Sequence, residues 1–330
     1  MLTRRTVLAL SGAAAATLAA PYIARAQTTK IIFAHATAES HPAHIAAVEF
    51  KKAVEALIPG AVDIQIFPNR QLGDDKQILE SIVAGTIPLA LASGVLFPLV
   101  TGRTALDAYQ LPFLIRDYDH FQQLATSEAG QAILDDLDEA GLVGLSTVDI
   151  GQRNFLSGSK SVKTIPDFAG LKTRIVPVPL HQAIWEKVGT SPVGLPYGEI
   201  YGALETGVLD AVEINVSSII GENLWEVGKN LTLTGHYPWQ TVIAANKTFF
   251  DGLPAEVQQG LRQAGRDTIA PTLAYTKDQE ITGREELKAK GVQIHELEDL
   301  DAMRERVAPI VEEWKAKSPI IANFVAAAQA

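Results

Sequence analysis

Short apolar runs rich in β-forming residues alternate with helical patterns along this chain, and that alternation restricts its fold more than any other feature. Strands that alternate with helices predict an α/β protein with parallel sheets. The segments typical of strands are 30–34, 62–67, 89–92, 141–148 and 208–212. The helical segments are 44–57, 74–84, 121–139, 180–188, 197–204, a long stretch over 253–287 interrupted near Pro271, and the region from 301 onward.

Two arginines lie inside short segments that are also typical of strands. Arg153 follows Gly151 and precedes Phe155, and Arg174 precedes the apolar pair Ile175 and Val176. An arginine in an apolar strand is costly unless a carboxylate or another anion meets it. Its planar guanidinium fits a carboxylate with two parallel hydrogen bonds. An internal salt bridge or a bound anion would each meet this need, and the residues alone leave both open.

The N-terminus has the pattern of a secretory leader. Arg4 and Arg5 precede an alanine-rich apolar run, and Ala24-Arg25-Ala26 offers small residues around a cleavage site. We therefore expect residues 1–26 to be removed. The paired arginines fit a twin-arginine export signal as well as an ordinary Sec leader. The apolar run is shorter than a membrane span of roughly 20 residues, so we expect a protein that works in the periplasm without direct membrane insertion.

Charge and cysteine content exclude several kinds of site. The leader carries three bases and no acids, so the mature chain has 25 Lys and Arg against 38 Asp and Glu, a net charge of −13. Such a surface does not attract nucleic acid or anionic lipid. The chain has no cysteine, which excludes disulfides, thiolate nucleophiles and cysteine metal sites. Its length of 330 residues suggests two domains.

Enzyme and metal patterns are weak in this sequence. His41 and His44 are three residues apart, but a zinc site needs a third ligand with matched geometry, and a His-Pro pair is more often a turn. The sequence holds no Gly-x-Ser-x-Gly elbow and no phosphate-binding Gly-x-x-x-x-Gly-Lys loop. We therefore expect no catalytic residues, no metal and no cofactor.

Several short motifs, in order and with their spacing, resemble the solute-binding proteins of TRAP (tripartite ATP-independent periplasmic) transporters. Each motif is weak by itself, and the ordered set covers nearly the whole mature chain. The motifs are Phe67-Pro68-Asn69-Arg70-Gln71-Leu72-Gly73-Asp74-Asp75, Leu111-Pro112-Phe113, Gly151-Gln152-Arg153, Gly170-Leu171-Lys172-Thr173-Arg174, Gly189-Thr190-Ser191-Pro192-Val193, Glu199-Ile200-Tyr201-Gly202-Ala203-Leu204-Glu205-Thr206-Gly207, Val208-Leu209-Asp210-Ala211-Val212-Glu213, Asn246-Lys247 and Leu253-Pro254.

The resemblance implies a two-lobed periplasmic solute-binding protein fold of the α/β class, with a hinge and an interlobe cleft that closes around one small ligand. Crossing strands and a long helix would join the lobes. We expect lobe I to comprise 27–150 and 239–278, and lobe II to comprise 151–238 and 279–330. The hinges would then lie near Ile150 and near Pro238.

The resemblance also implies the residues of the ligand site. The arginine that matches Arg174 clamps the ligand carboxylate, and the one that matches Arg153 gives secondary support. Tyr197 matches a position that often places an aromatic ring against the ligand. Relatives often carry a ligand-binding asparagine where this chain has Ile214, so Asn215 takes over that role or the contact is lost. Glu213 is a further candidate, for which bonding to backbone groups or to the arginines is the alternative. His236 and Trp239 are candidates for which core packing is the alternative. Ser93 and Phe97 follow the strand at 89–92, where the first lobe usually lends contacts.

These observations favour an extracytoplasmic receptor that binds a small organic acid and delivers it to the membrane permease subunits of a TRAP transporter. Two alternatives stay open: an exported enzyme that acts on a carboxylate substrate, and a receptor that presents its ligand to a sensor. The sequence does not determine the acid, and sugar acids, hydroxy or oxo acids, aromatic acids and dicarboxylates all remain candidates.

Overall fold

The computed structural model describes residues 28–330, so the predicted leader at 1–26 lies outside the described residues. Strands and helices alternate, as the sequence predicts. The strands are β1 (Thr29–Ala34), β2 (Val62–Phe67), β3 (Leu89–Ser93), β4 (Leu142–Ser157), β5 (Lys172–Ile175), β6 (Ser191–Gly194), β7 (Ala211–Asn215), β8 (Asn230–Leu233), β9 (Pro238–Asn246) and β10 (Gln293–Glu296).

The α-helices begin mostly at side-chain caps or at proline, as in α2, where Asp74 and Gln77 form a capping box. They are α1 (Pro42–Leu57), α2 (Asp75–Val83), α3 (Leu96–Thr101), α4 (Tyr118–Ala125), α5 (Glu128–Asp135), α6 (Pro179–Val188), α7 (Ile200–Glu205), α8 (Val216–Gly221), α9 (Lys247–Asp251), α10 (Ala255–Ala289), α11 (Leu300–Lys315) and α12 (Pro319–Gln329). Short 3₁₀ turns cover Ala105–Gln110, Asp136–Ala140, Ile165–Phe168, Tyr197–Glu199 and Leu224–Glu226.

The strands form a mixed sheet in the order β2-β1-β3-β9-β4-β7-β5-β6, with β8 beside β4 and β10 beside β8. The outer pairs are parallel: β1 with β2 and β3, and β5 with β6 and β7. The central pairs are antiparallel: β9 with β3 and β4, and β4 with β7. The prediction of parallel sheets is therefore wrong for the central strands, because these strands run between the two halves of the molecule.

Strand β4 is the main connection between the two lobes. Its first part pairs with β9, and its last part, from Arg153 to Ser157, pairs with β7. The pairing with β9 shifts register between Asp149 and Gln152, and Gly151 has a φ of +127° that a side chain would strain. The predicted strand at 141–148 is thus the first half of a 16-residue strand that crosses the molecule.

Two predicted boundaries differ from the structure for identifiable reasons. The predicted break near Pro271 is wrong, because α10 continues through it as one 35-residue helix. Its buried residues on both sides of the proline, such as Ile269 and Leu273, pack against α1, β4 and α8, and this packing offsets the lost backbone bond. The strand predicted at 208–212 lies at Ala211–Asn215, since Leu209 still bonds back to Ala203 in the turn after α7.

The C-terminal helices pack across the predicted lobe boundary. Trp314 of α11 donates to Asp107 over 2.9 Å, and the ring of Phe324 in α12 lies 4.5 Å from that of Tyr109. Both partners belong to the segment assigned to lobe I, whereas α11 also contacts α6. The lobe boundaries stay a prediction. Within residues 28–330, none of the helices combines the length and the apolar character that a bilayer span requires.

Candidate ligand-binding site

A cavity lies where the predicted lobes face each other. Its wall combines residues from the loop after β1, the start of α2, and the strands β4 and β5. Of the nine predicted site residues, five line this cavity: Ser93, Arg153, Arg174, Tyr197 and Trp239. The other four are buried and lie outside its wall: Phe97, Glu213, Asn215 and His236.

Arg174 is a buried cation without a carboxylate partner within the described residues. Strand β5 holds it between β6 and β7, opposite Val193 and Val212. It is 3 % exposed, and its Nε donates to the Leu195 carbonyl over 3.0 Å. Burial lowers the pKa of Arg174 to about 10, so the side chain stays charged at neutral pH. Its guanidinium therefore keeps donors and a positive charge available to the cavity.

Arg153 is a buried cation whose charge is already balanced. Its Nε lies 2.6 Å from Glu213 Oε2, and both side chains are buried. Its Nη2 also donates to the Glu213 carbonyl, and its guanidinium lies 4.0 Å from the centre of the Trp239 ring. Burial alone would raise the pKa of Glu213, but Arg153 and His236 outweigh it and hold that pKa below its ordinary value.

A polar layer behind the cavity wall surrounds Glu213. The Tyr237 hydroxyl donates to Glu213 Oε2 over 3.1 Å. His181 Nδ1 and His236 Nε2 lie 3.7 and 3.8 Å from the two Glu213 oxygens. Burial lowers the pKa of both histidines, and that of His181 falls to about 3. Glu213 thus holds Arg153 in place from outside the cavity, and His236 lies behind it.

Asn215 also lies behind the wall, next to a histidine that reaches the cavity. Its Nδ2 donates to the Ile150 carbonyl over 2.9 Å and to Ser217 Oγ over 2.8 Å. His41 Nδ1 accepts from the backbone N–H of Ala43, so the neutral ring carries its proton on Nε2, 3.1 Å from Ser218 Oγ. Burial lowers the pKa of His41 to about 3. Both His41 and Ser218 line the cavity.

The lobe I side of the wall is acidic and polar. Ser93, at the end of β3, donates its backbone N–H to the two oxygens of Asp75 over 3.3 and 3.2 Å. Burial, with Asp74 beside it, raises the pKa of Asp75 to about 6. Phe97 of α3 is fully buried in the core beneath this wall. The cavity wall therefore holds carboxyl groups as well as arginines, and the charge of Arg174 opposes the rise in the pKa of Asp75.

Two contacts hold the predicted lobes together beside the cavity. Arg70 forms a two-point ion pair with Glu222, at 3.0 and 2.9 Å, and its guanidinium lies 5.5 Å from the Tyr197 ring centre. The Gly198 N–H donates to Asp74 Oδ2 over 3.3 Å. These contacts bring Tyr197 and the start of α2 to opposite sides of one cleft.

The described residues offer no metal site of ordinary composition. His35 Nε2 lies 3.0 Å from His44 Nδ1, whereas His41 faces Ser217 and Ser218. Within residues 28–330, no group of three or more histidine, cysteine or acidic side chains is placed to hold a metal ion. The buried guanidinium of Arg174 in the cavity wall suits the binding of a small organic anion.

The chain is similar to known proteins over nearly its whole length. A model of the family "bacterial extracellular solute-binding protein, family 7" matches residues 33–317. This chain belongs to that family. The C4-dicarboxylate-binding periplasmic protein DctP of Rhodobacter capsulatus is similar to this family 7 protein over its whole length, with 32 % identity across 100 % of this chain and 99 % of DctP.

Solved structures of similar proteins have the same fold. The sugar acid binding protein of Advenella mimigardefordensis, in complex with galactonate, gives a TM-score of 0.86 at 27 % identity and covers 92 % of this chain and 98 % of that one. A TRAP periplasmic solute-binding protein of a Bradyrhizobium species, in complex with galacturonate, gives 0.86 at 27 % identity over 91 % and 99 % of the two chains. The family 7 protein therefore has the two-lobed α/β fold of TRAP solute-binding proteins.

Sequence reasoning missed several cavity residues. His41 was considered only as a turn residue or a metal ligand, and Asp75 only as part of a family motif. Leu96, Val176 and Ser218 gave no signal, because their place in the wall depends on how distant segments meet. Asp75 gave no separate signal either, since its carboxyl group meets the N–H of Ser93 from a different strand.

Proposed function

We propose that this protein is an extracytoplasmic solute receptor that binds an organic acid through its carboxylate, at Arg174, and delivers it to a TRAP-type secondary transporter. The buried guanidinium of Arg174, which pairs with no carboxylate among residues 28–330 and lies in the cavity wall, carries the proposal. A desolvated arginine with free donors is stabilised when a carboxylate enters with two parallel hydrogen bonds. Membership of family 7 supports a binding protein rather than an enzyme.

The other predicted residues fall into two proposed roles. Arg153, Tyr197, Trp239 and Ser93 contact or enclose the ligand, since they share the cavity wall with Arg174. Asn215 acts indirectly, because its amide bonds to Ile150 and Ser217 beside His41. Glu213, His236 and Phe97 support the wall from behind.

We further propose that the cleft opens and closes about hinges near Ile150 and Pro238. The register shift in β4 and the positive φ of Gly151 support a pivot at this place. A ligand that touches both lobes favours the closed state by its contacts with each. Small-angle scattering should give a smaller radius of gyration at ligand saturation, and an open protein whose radius stays unchanged would contradict the hinge.

The proposed site of action is the periplasm, after export by a Sec or twin-arginine leader, and the proposed partners are the membrane permease subunits of a TRAP transporter. The leader pattern and the periplasmic relatives support this placement. Reconstituted permease should move the ligand only when this protein is added, and without ATP. Transport that needs ATP, or that proceeds equally well without the receptor, would contradict the assignment even if binding were found.

Binding itself is tested by a thermal-shift screen of organic acids, followed by calorimetry of the best ligand. A ligand that binds only the folded protein raises its melting temperature. The best acid should bind stoichiometrically without turnover, and Arg174→Lys should weaken it because lysine keeps the charge but loses the planar fork. Wild-type affinity in both Arg174→Lys and Arg174→Ala would overturn the carboxylate site.

A further inference from the structure

A chain of buried amide groups fixes the hydrogen position on the His181 ring. Gln240 Nε2 donates to the Leu106 carbonyl over 3.2 Å, and Gln240 Oε1 accepts from Gln110 Nε2 over 2.7 Å. Gln110 Oε1 lies 2.7 Å from His181 Nε2. A backbone carbonyl can only accept, so the chain of hydrogen bonds has one direction and ends with His181 Nε2 as a donor.

The amide of Gln240, on which this direction depends, is held in a confined space. Gln240 and Gln110 are fully buried. A Cβ atom at Gly94 would lie 2.0 Å from Gln240 Nε2, so the amide occupies space that a side chain would take. Turning the amide over would place its oxygen against the Leu106 carbonyl, and two buried acceptors would then face each other at a cost in stability.

The fixed direction leaves an unpaired acceptor on His181. A neutral imidazole carries one hydrogen, which here lies on Nε2, so His181 Nδ1 has only a lone pair. This atom lies 3.7 Å from Glu213 Oε1. Within the described part of the chain neither atom has a hydrogen-bond partner, although both are buried. Such unpaired groups are rare in native proteins and often mark a functional site.

His236 lies against the same carboxylate without this conflict. Its Nε2 lies 3.8 Å from Glu213 Oε2, and its Nδ1 lies 2.7 Å from the Thr234 hydroxyl. A hydroxyl can rotate to donate or to accept. Neutral His236 can therefore carry its hydrogen on Nε2, toward Glu213, whereas His181 needs a second proton to do the same from Nδ1.

The charges around His181 oppose that second proton in the protein without ligand. Burial lowers the pKa of His181 to about 3; Glu213 raises it, and Arg153, Arg174 and His236 lower it further. The ring is therefore neutral at neutral pH. Both arginines line the cavity, so their effect on His181 depends on what the cavity holds.

The other titratable groups on the neighbouring elements have partners of their own or face solvent. Tyr237 stacks on the His181 ring at 5.1 Å and donates its hydroxyl hydrogen to the same carboxylate. Asp107 accepts from a tryptophan of α11, and Arg306 of α11 donates to a carbonyl at the far end of α6. Glu186 and Lys187 of α6 itself are exposed.

We infer that His181 and Glu213 form a buried proton-binding site that fills from solution when an organic anion occupies the cavity. The inference rests on the proposed function and adds a dependence on pH to it. The carboxylate of a bound acid offsets the charge of Arg174 and so removes part of what opposes the second proton. The imidazolium then donates from Nδ1 to Glu213 Oε1, and both unpaired atoms gain a partner in a charge-assisted hydrogen bond.

The coupling has a definite sign. Since the bound state holds the proton more tightly than the free state, the gain in affinity is present at low pH and is lost as the pH rises. The same coupling works in both directions, so an acidic solution favours the bound anion as much as the anion favours the proton.

The test uses five probe acids: galactonate, galacturonate, erythronate, pantoate and succinate. The acid that binds most tightly is titrated by calorimetry into wild type and His181→Gln, in two buffers of different ionisation enthalpy, which gives the number of protons taken up. From about pH 7.5 to about pH 4.5, the ratio of wild-type to variant affinity should rise about threefold or more, because glutamine keeps the bond to Gln110 but takes no proton. The ligand and Asp75 titrate in both proteins, so their contributions cancel in this ratio.

A second variant tests the amide chain itself. Gln110→Met keeps the histidine and removes the acceptor that fixes its Nε2 hydrogen. The neutral ring can then carry its hydrogen on Nδ1, toward Glu213, so the extra proton uptake should be lost as in His181→Gln. Gln131→Met, at an exposed glutamine, and Asp301→Asn, whose carboxyl group is 98 % exposed, are the controls and should keep the wild-type uptake.

The outcomes separate the inference from the proposed function. Equal proton uptake by wild type and His181→Gln across the pH range, or wild-type uptake in Gln110→Met, would overturn the inference, and Arg174-dependent binding would leave the proposed function intact. If none of the five acids bound, the proposed function and the inference would both fail.

Nitrogen NMR of wild type gives a measurement that needs no variant. The His181 signals are identified through contacts with Tyr237 and Trp239, the rings beside it. At about pH 4.5, Nδ1 should carry no hydrogen in the free protein and should gain one when the probe acid binds. An Nδ1 that stays without a hydrogen at saturation would overturn the inference.

Discussion

The surroundings of Arg153 and those of Arg174 differ, although both arginines are buried in the wall of one cavity. Arg153 lies 2.6 Å from Glu213 and against the face of Trp239. Arg174 bonds through its Nε to one backbone carbonyl, that of Leu195. A buried cation paired with a carboxylate has its charge balanced inside the fold, whereas one without a carboxylate has donors and charge for a ligand. In the sequence both arginines lie in short apolar segments typical of strands, and only their neighbours in the structure distinguish them.

The largest effect should come from breaking the ion pair of Arg153. Glu213→Gln leaves that guanidinium buried without a counter-charge, so the free energy of unfolding should fall by about 3–5 kcal/mol. Urea unfolding measures it, with the exposed Glu55→Gln as control. A loss below about 1 kcal/mol would mean that the ion pair is not the main support of Arg153.

Arg174→Met should separate binding from stability. Methionine keeps much of the apolar volume and removes a desolvated charge, so the free energy of unfolding should stay within about 1 kcal/mol of wild type. Ligand affinity should fall by about 1.5–3 kcal/mol, since a charge-assisted hydrogen-bonded contact is lost. Unfolding and calorimetry on the same preparation give both values. If Arg174→Met lowered the free energy of unfolding as much as Glu213→Gln, Arg174 would be a structural residue like Arg153.

Asp149 extends the comparison to a buried carboxyl group that has no cationic partner among the described residues. Burial first, then the nearby Glu280, raise its pKa from 3.8 to about 8, against one hydrogen bond from the Gly151 N–H. Glu280, by contrast, pairs with Arg284 at 2.6 Å. Between the two pKa values the folded chain holds a proton that the unfolded chain has released. The contribution of the protonated Asp149 carboxyl group to the free energy of unfolding is therefore present at low pH and is lost as the pH rises toward 8.

Asp149→Asn should remove that part of the pH dependence. As the pH rises across this window, the free energy of unfolding of the variant should increase relative to that of wild type by up to about 1.4 kcal/mol per pH unit. Urea unfolding at a series of pH values measures the difference, and Asp301→Asn should show no such slope. A difference that does not vary with pH would show that Asp149 is solvated.

The smallest effect should come from the interlobe ion pair of Arg70 and Glu222. This pair has two-point geometry but is partly exposed, and such pairs contribute about 0.2–1 kcal/mol. Arg70→Gln should therefore weaken ligand binding by about fivefold or less, because the ion pair stabilises the closed state that binds the ligand. Added salt should reduce the difference in affinity between the variant and wild type. A larger effect that salt leaves unchanged would mean that Arg70 contacts the ligand.

The sequence was sufficient for the strand–helix alternation and for placing Arg174 in a strand, because periodic apolar patterns and a charged residue in an apolar segment are local signals. The antiparallel pairing of β4 with β9 could not be predicted from the sequence, since that pairing joins segments about a hundred residues apart. The roles of Asp75 and His41 were missed for the same reason. Their neighbours, Ser93 and Ser218, come from other parts of the chain.

A crystal structure of the protein with its best ligand tests the central claim most directly. We expect both oxygens of the ligand carboxylate within hydrogen-bond distance of the Arg174 guanidinium, at about 2.7–2.9 Å. We expect Arg153 still paired with Glu213. A carboxylate bound elsewhere in the cavity, with Arg174 facing only Leu195, would contradict the account.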